Sequence, residues 1–246
     1  SGLGLPAAFV LALIAGALAG AVTGILTTKL RIPALLAGIL TMIGLYSVNL
    51  HVMGKSNIGL LQDETVFTIL ENSLGLSVAV SGLAVGLIFA ALIAVILYWF
   101  FGTEKGSSLR ATGANPHMAR AQGINTNSNI VLGLMVSNGL VALSGALLAQ
   151  YQGSSDINMG RGAIVIGLAA VIIGESLLGK VFRNFGLRML SVSLGAIVYY
   201  LVLQVVLQLG LNTNDLKLLS AAIVAVFLAV PHLKGKLTHK GGTVHA

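Results

Sequence analysis

Seven stretches of this sequence are apolar over nearly the length a helix needs to cross a bilayer: residues 7–28, 33–53, 78–101, 129–150, 163–178, 187–209 and 216–230. A transmembrane helix takes about 20 such residues, with a range of roughly 17–25. The fifth and seventh are short. The fifth fits a re-entrant or broken segment as well as a full crossing. Backbone groups in hydrocarbon must pair within their own segment or within a closed barrel. Runs of this length therefore predict an all-α, polytopic transmembrane bundle of about seven segments. Composition agrees: only 9% of residues are charged, against about 25% in a soluble domain. The expectation is one transmembrane domain over 1–246, with a polar loop at 102–128 and a basic tail at 232–246.

The charges orient this layout. If the spans alternate, one side holds Lys29, Arg31, Lys105, Arg110, Arg120, Lys180, Arg183, Arg188, Lys234, Lys236 and Lys240. The other holds only Lys55, Arg161 and Lys217, with Asp63, Glu64, Glu71, Asp156 and Asp215. Basic residues collect on the cytoplasmic side, which places the 102–128 loop and the tail there. The net charge of +7 is then topological, and no nucleic-acid partner is expected. Ser1 opens almost directly into an apolar run without a basic leader, and alternation puts it outside. An outer start is unusual for an apolar first span, so one or two further N-terminal helices are expected.

Several patterns carry two readings. Gly16, Gly20 and Gly24 recur every four residues, and such stripes let helices approach closely. They serve either packing within the bundle or a contact between copies; Gly82 and Gly86 repeat the pattern. Glu64–Glu71 places Val66, Phe67, Ile69 and Leu70 as an amphipathic helix would at the outer interface. It reads as a cover or as a contact for an outer partner.

Chemistry-bearing constellations are scarce. The sequence contains no cysteine, which removes disulfides, thiolate metal sites and cysteine nucleophiles. Gly174-Glu-Ser-Leu-Leu-Gly-Lys180 has phosphate-loop spacing, but Val181 stands where Ser or Thr must meet magnesium, and no strand precedes it. No histidine pair has metal-ligand spacing on one helix face, and no paired-carboxylate or Ser-His-Asp arrangement occurs. No catalytic or metal residue is therefore assigned, and the chain reads as a transport subunit, not an enzyme. Glu175 is the one acid inside a predicted span. It pairs with Lys180 or Arg183 or snorkels to the interface, or it serves as a gate or coupling contact. Polar groups within spans include Asn49, Asn138, Gln204 and Gln208; they glue helices together or line an aqueous path. The lack of further buried acids weighs against an ion- or proton-coupled secondary transporter.

The longest polar interruption, 110–125, reads RATGANPHMARAQGIN. Asn115 suits an N-cap and Pro116 the first helical position; Gly123 suits the residue past the end. The punctuation predicts a helix of about two turns, too short to be stable alone. Flanked by Arg110 and Arg120, it fits docking onto a partner.

With the following LSGALLAQYQGSSDINMGRG and AIVIGLAAVIIGESLLG, this stretch resembles the permease subunits of bacterial ABC importers for branched-chain amino acids, ribose-type sugars and related solutes. The family's loop R-x-x-G-x-N-x-x-x-A-x-x-x-G-I is matched by Arg110, Gly113, Asn115, Ala119, Gly123 and Ile124. Ile173-Gly-Glu-Ser and Arg31-Ile-Pro-Ala-Leu-Leu-Ala-Gly38 look closest to permeases paired with tryptophan/tyrosine-type binding proteins. The resemblance implies a homodimer in the bacterial plasma membrane. It also implies a separate ABC ATPase carrying Mg-ATP, docked on a coupling helix with Arg110, Gly113, Asn115, Pro116, Ala119, Arg120 and Gly123. An extracellular binding protein would deliver the solute. No cofactor is implied on this chain itself.

Overall fold

A computed structural model describes residues 4–60, 65–75, 77–160, 163–178 and 185–208, with isolated positions 218, 222 and 225. The expected seventh segment, 216–230, and the basic tail lie essentially outside the described residues. The chain falls into two compact units, Ser1–Met159 and Gly160–Ala246.

The first unit is built on the pairing of α1 (Leu5–Thr28) with α7 (Thr126–Gln152). The glycine stripe makes that pairing possible, and it does so within the chain. A Cβ on Gly20 would stand 2.8 Å from Met135 Cα, and one on Gly24 would stand 2.8 Å from Val131 Cα. Gly16 abuts the Asn138 carbonyl, and Gly139 answers from the other side against Leu13. Only hydrogen fits at Gly16, Gly20 and Gly24, so backbone meets backbone there, and Gly139 is tight. This supports the packing reading of the stripe. Gly82 lies against the Tyr151 ring, whereas Gly86 faces open space.

Arg31 and Pro33 separate α1 from α2 (Ala34–Met53). Arg31 adopts φ +54°, the one positive-φ residue other than glycine among those described. Thr23 Oγ1 donates to Thr41 Oγ1 at 2.9 Å and ties α1 to α2. Thr41, Thr27 and Thr28 donate back to the carbonyls four residues earlier, which satisfies hydroxyls in an apolar helix.

Beyond α2, β1 (Asn57–Gly59) pairs antiparallel with β2 (Ser154–Asp156), with Ile58 opposite Ser155. This two-stranded ribbon was not expected. Next comes α3 (Val66–Leu74), which starts two residues and ends three residues later than the expected amphipathic segment. Thr65 caps it reciprocally with Thr68, by Thr68 N–H to Thr65 Oγ1 at 3.1 Å and Thr65 N–H to Thr68 Oγ1 at 2.8 Å. The long helix α4 (Val78–Gly102) follows, and Ser81 donates from it to Glu71 Oε1 at 3.1 Å.

The second unit pairs α8 (Ala163–Leu178) with α9 (Phe185–Gln208). Gly174 and Gly195 bring the backbones together, and Ala169, Ile173 and Tyr199 form its fully buried core.

Among the described residues, five helices are long and apolar enough to cross a membrane: α1, α2, α4, α7 and α9. With 16 residues, α8 is shorter than a usual span. The described residues therefore support an all-α polytopic bundle, with five long apolar helices and the shorter α8 at six of the anticipated segments; the seventh lies outside them.

Candidate functional site

The polar interruption is more helical than its punctuation indicated. Two helices occupy it: α5 (Glu104–Ala114) and α6 (Pro116–Ala121). Gly113 belongs to α5, and α6 is shorter than two turns. Thr103 starts α5 by accepting from Gly106 N–H at 3.2 Å. Gly106 packs directly on the Phe100 and Phe101 backbone, which folds α5 back against the end of α4.

A buried amide fixes α5 to α7. Asn129 Nδ2 donates to Ser108 Oγ at 2.7 Å and to Thr112 Oγ1 at 2.9 Å, and Thr112 passes its own proton to Ser108 O. Asn129 opens the expected fourth span, but the helix starts at Thr126. The Asn125 side chain accepts from Ser128 N–H at 3.2 Å and caps it.

Between α5 and α6 the cap expected at Asn115 is formed. Its Oδ1 accepts from His117 and Met118 N–H, both at 3.1 Å, and Pro116 occupies the first turn. At the other end Gly123, with φ +79°, lets the chain reverse. Ile124 N–H then reaches Ala119 O at 3.0 Å. Ala119 is buried at 3% exposure, whereas Met118 is 60% exposed. Ala119 thus seats α6 on its own chain, and Met118 offers the outward apolar surface. Arg120 bends back, its Nε donating to the buried Thr126 Oγ1 at 2.6 Å. Arg110 is exposed and donates to Ser107 Oγ at 3.3 Å.

The end of α1, the Arg31 turn, Arg120 and the first turns of α7 enclose a polar cleft of about 510 Å³. Thr27, Thr28, Arg31, Arg120, Asn127 and Ile130 line it. A second, mainly apolar recess of about 610 Å³ lies between α3, α4 and α7, lined by Phe67, Phe89, Ser144, Leu147 and Tyr151 among others. There the Phe67 ring stands edge-on to Tyr151 with centroids 5.4 Å apart.

The span-embedded polar residues are placed as follows. Asn49 is exposed on α2. Asn138, half-buried, returns its amide to Leu134 O at 2.9 Å. In the second unit, Glu175 is exposed on α8, as are Gln204 and Gln208 on α9. Gly174–Leu178 lies within α8 and forms no phosphate-binding loop; Lys180 and Val181 are outside the described residues. Among the described residues no three His, Asp or Glu side chains group as a metal site.

Asn129, Thr126 and Met118 were not singled out in the sequence. Met118 alone carried a local signal, an apolar residue on a short polar helix. The partners of the other two are set by tertiary contact.

Long apolar helices with close glycine contacts, carrying a capped polar helix pair, define the class as a multi-pass membrane protein. Comparison with known proteins gives the particular family. The profile described as "Branched-chain amino acid transport system / permease component" matches residues 1–230, and the chain belongs to that family. It is 39% identical over 233 residues to a "Tyrosine transport system permease protein" of Clostridioides difficile, covering 95% of this chain and 75% of that one. It is 34% identical over 183 residues to the "Autoinducer 2 import system permease protein LsrC" of Yersinia pseudotuberculosis, covering 73% of this chain and 50% of that one. The "Galactose/methyl galactoside import permease protein MglC" of Escherichia coli is 28% identical over 148 residues, covering 59% and 43%. No solved structure gives a significant match.

Proposed function

We propose that this chain is the transmembrane subunit of an ATP-driven importer and that α6 is the element a separate ABC ATPase grips. The observation that carries this is the helix itself. Six residues cannot hold a helix alone in water, yet this one is capped at both ends, seated by Ala119 and left exposed at Met118. Arg110 and Arg120 meet acidic groups or carbonyls of the ATPase. Asn115, Pro116, Gly113 and Gly123 set the shape of the grip.

Mg-ATP binds the ATPase, and its different affinity for the two states of the assembly supplies the driving force. Displacement of α6 passes to α7 through Arg120–Thr126, and that of the adjoining α5 through Asn129–Thr112. From α7 it passes to α1 along the glycine contacts. The whole chain, 1–246, acts as one permease domain in the bacterial plasma membrane, with 102–128 and the 232–246 tail in the cytoplasm. Two copies enclose the path, and lipid surrounds them. An extracellular binding protein delivers the solute, and Asn49, Asn138, Glu175, Gln204 and Gln208 contribute its polar lining.

The solute is an amino acid of the aromatic class, supported by the name of the C. difficile relative. A sugar-class solute is the second reading, supported by the galactoside and autoinducer permeases. Purification of the chain from membranes in mild detergent, followed by mass identification, tests the ATPase partner. Co-purification of a soluble protein with a true GxxxxGK[ST] loop sustains the reading. Its absence even with non-hydrolysable nucleotide overturns it. Uptake of labelled tyrosine against labelled galactose in proteoliposomes then separates the two solute classes.

A further inference from the structure

We infer that the cleft lined by Arg31, Arg120 and Asn127 is a binding site for a phosphate-class oxyanion, filled at the membrane boundary by the headgroup of an anionic phospholipid.

The donors come first. No acidic side chain lines the cleft. Arg120 spends its Nε on Thr126 Oγ1, which fixes the plane of the guanidinium and leaves its other four N–H donors unspent among the described residues. Arg31 makes no side-chain hydrogen bond to any described residue. A planar guanidinium presents a rigid fork that fits two phosphate oxygens at once, and charge-assisted bonds of this kind are the strong ones. Asn127 adds an amide. It also stands in the first turn of the 27-residue helix α7, where N–H groups lack intrahelical acceptors and favour negative charge. Thr27 and Thr28 already donate to Thr23 O and Gly24 O, so recognition falls to the arginines and the amide.

The cleft's depth selects the source of the anion. It lies where α1, a span of 24 residues, ends at Thr28, the level at which lipid phosphates sit. Leu30, directly beside it, is 63% exposed and suits contact with the acyl-chain boundary. Arg31 is held there at φ +54°, a conformation side chains other than Gly and Asn seldom adopt. This site needs no ATPase but shares Arg120 with the contact proposed above, so its test is made at Arg31, which takes no part in that contact.

The test uses the full chain purified in neutral detergent without nucleotide. Short-chain phosphatidylglycerol, phosphatidylcholine and inorganic phosphate are titrated separately, and adducts are counted by native mass spectrometry. Wild type should bind phosphatidylglycerol in preference to phosphatidylcholine. Arg31→Gly removes the charge while fitting the left-handed backbone, so folding is preserved and the melting temperature reports on it. Binding should fall at least about fivefold, as loss of a charge-assisted pair implies. Arg31→Lys should recover part of it, since charge returns without the fork. Inorganic phosphate binding with the same dependence on Arg31, and displacing the lipid at equal concentration, keeps the site and reassigns it to a soluble oxyanion. Equal retention of both lipids, or phosphatidylglycerol binding unchanged in Arg31→Gly, overturns the proposal.

Discussion

Asn129 Nδ2 donates to Thr112 Oγ1 at 2.9 Å across 17 residues of chain, with the amide buried. That bond and its companion to Ser108 hold a polar helix, α5, against a membrane-spanning one. Asn129→Ala removes both and leaves the Ser108 hydroxyl without this donor. The expected cost is about 1–3 kcal/mol, read as a lower melting temperature in detergent. If α5 transmits movement, ATPase stimulation by the permease should fall more steeply than stability does. Unchanged melting and unchanged stimulation would mean that α5 is held by its backbone contacts alone.

The glycine contacts of α1 predict a contrast between two chemically identical substitutions. Gly20→Ala places a methyl group against the Leu134 and Met135 backbone, which cannot yield as a flexible side chain would. Overpacking of this kind costs about 1–3 kcal/mol. Gly86→Ala meets nothing within 4 Å and should leave stability unchanged or slightly raised, since alanine is the better helix former. Parallel thermal melts of the two variants check this. Equal effects would mean that the stripe's spacing, and not the α1–α7 approach, governs stability.

The main helices were legible because each is one uninterrupted apolar run, and a bilayer leaves such a run little choice. Observed and expected ends agree within about three residues at α1, α2, α4, α7, α8 and α9. Asn115, Pro116 and Gly123 were legible for a different reason, since capping is local chemistry. α5 was hidden. Its polar sequence includes Gly106 and Gly113, both poor helix residues, and it is stabilised by Asn129 from 17–21 residues away. The β1–β2 ribbon was hidden too, because three-residue strands are too short to show alternation. The polar cleft gathers Arg31, Arg120 and Asn127 from two separate parts of the chain, and no spacing in the sequence joins them.

Thr65 gives a local test of α3. Its hydroxyl takes the Thr68 N–H, and Thr68 returns the bond. Thr65→Ala removes half of this reciprocal cap, a loss of about 1 kcal/mol. Amide exchange in Val66–Leu74 should quicken about fivefold while the α1 and α7 amides stay unchanged, because local opening draws on that segment's own stability. Slowing or no change would mean that the Val66 N–H bond to Gln150 Oε1 at 3.2 Å and the Phe67–Tyr151 contact hold α3 without its cap.

The exposed and buried faces of α6 separate docking from folding. Met118 is 60% exposed, so Met118→Asp touches little of this chain and should melt as wild type does. An apolar anchor at the centre of an interface commonly contributes about 2 kcal/mol or more to binding. Affinity for the ATPase should therefore drop at least about 30-fold by that figure, and nucleotide hydrolysis should lose its dependence on the permease. Ala119→Leu behaves differently: the site is buried at 3% exposure, so it should lower the melting temperature and the coupling together. Arg120→Glu breaks the 2.6 Å bond to Thr126 and reverses a charge at the same time. It should weaken ATPase binding with a marked dependence on salt. Loss of folding in Met118→Asp would place that side chain inside the assembly in some other way. Full ATPase stimulation by Met118→Asp and Arg120→Glu alike would remove α6 from the coupling path.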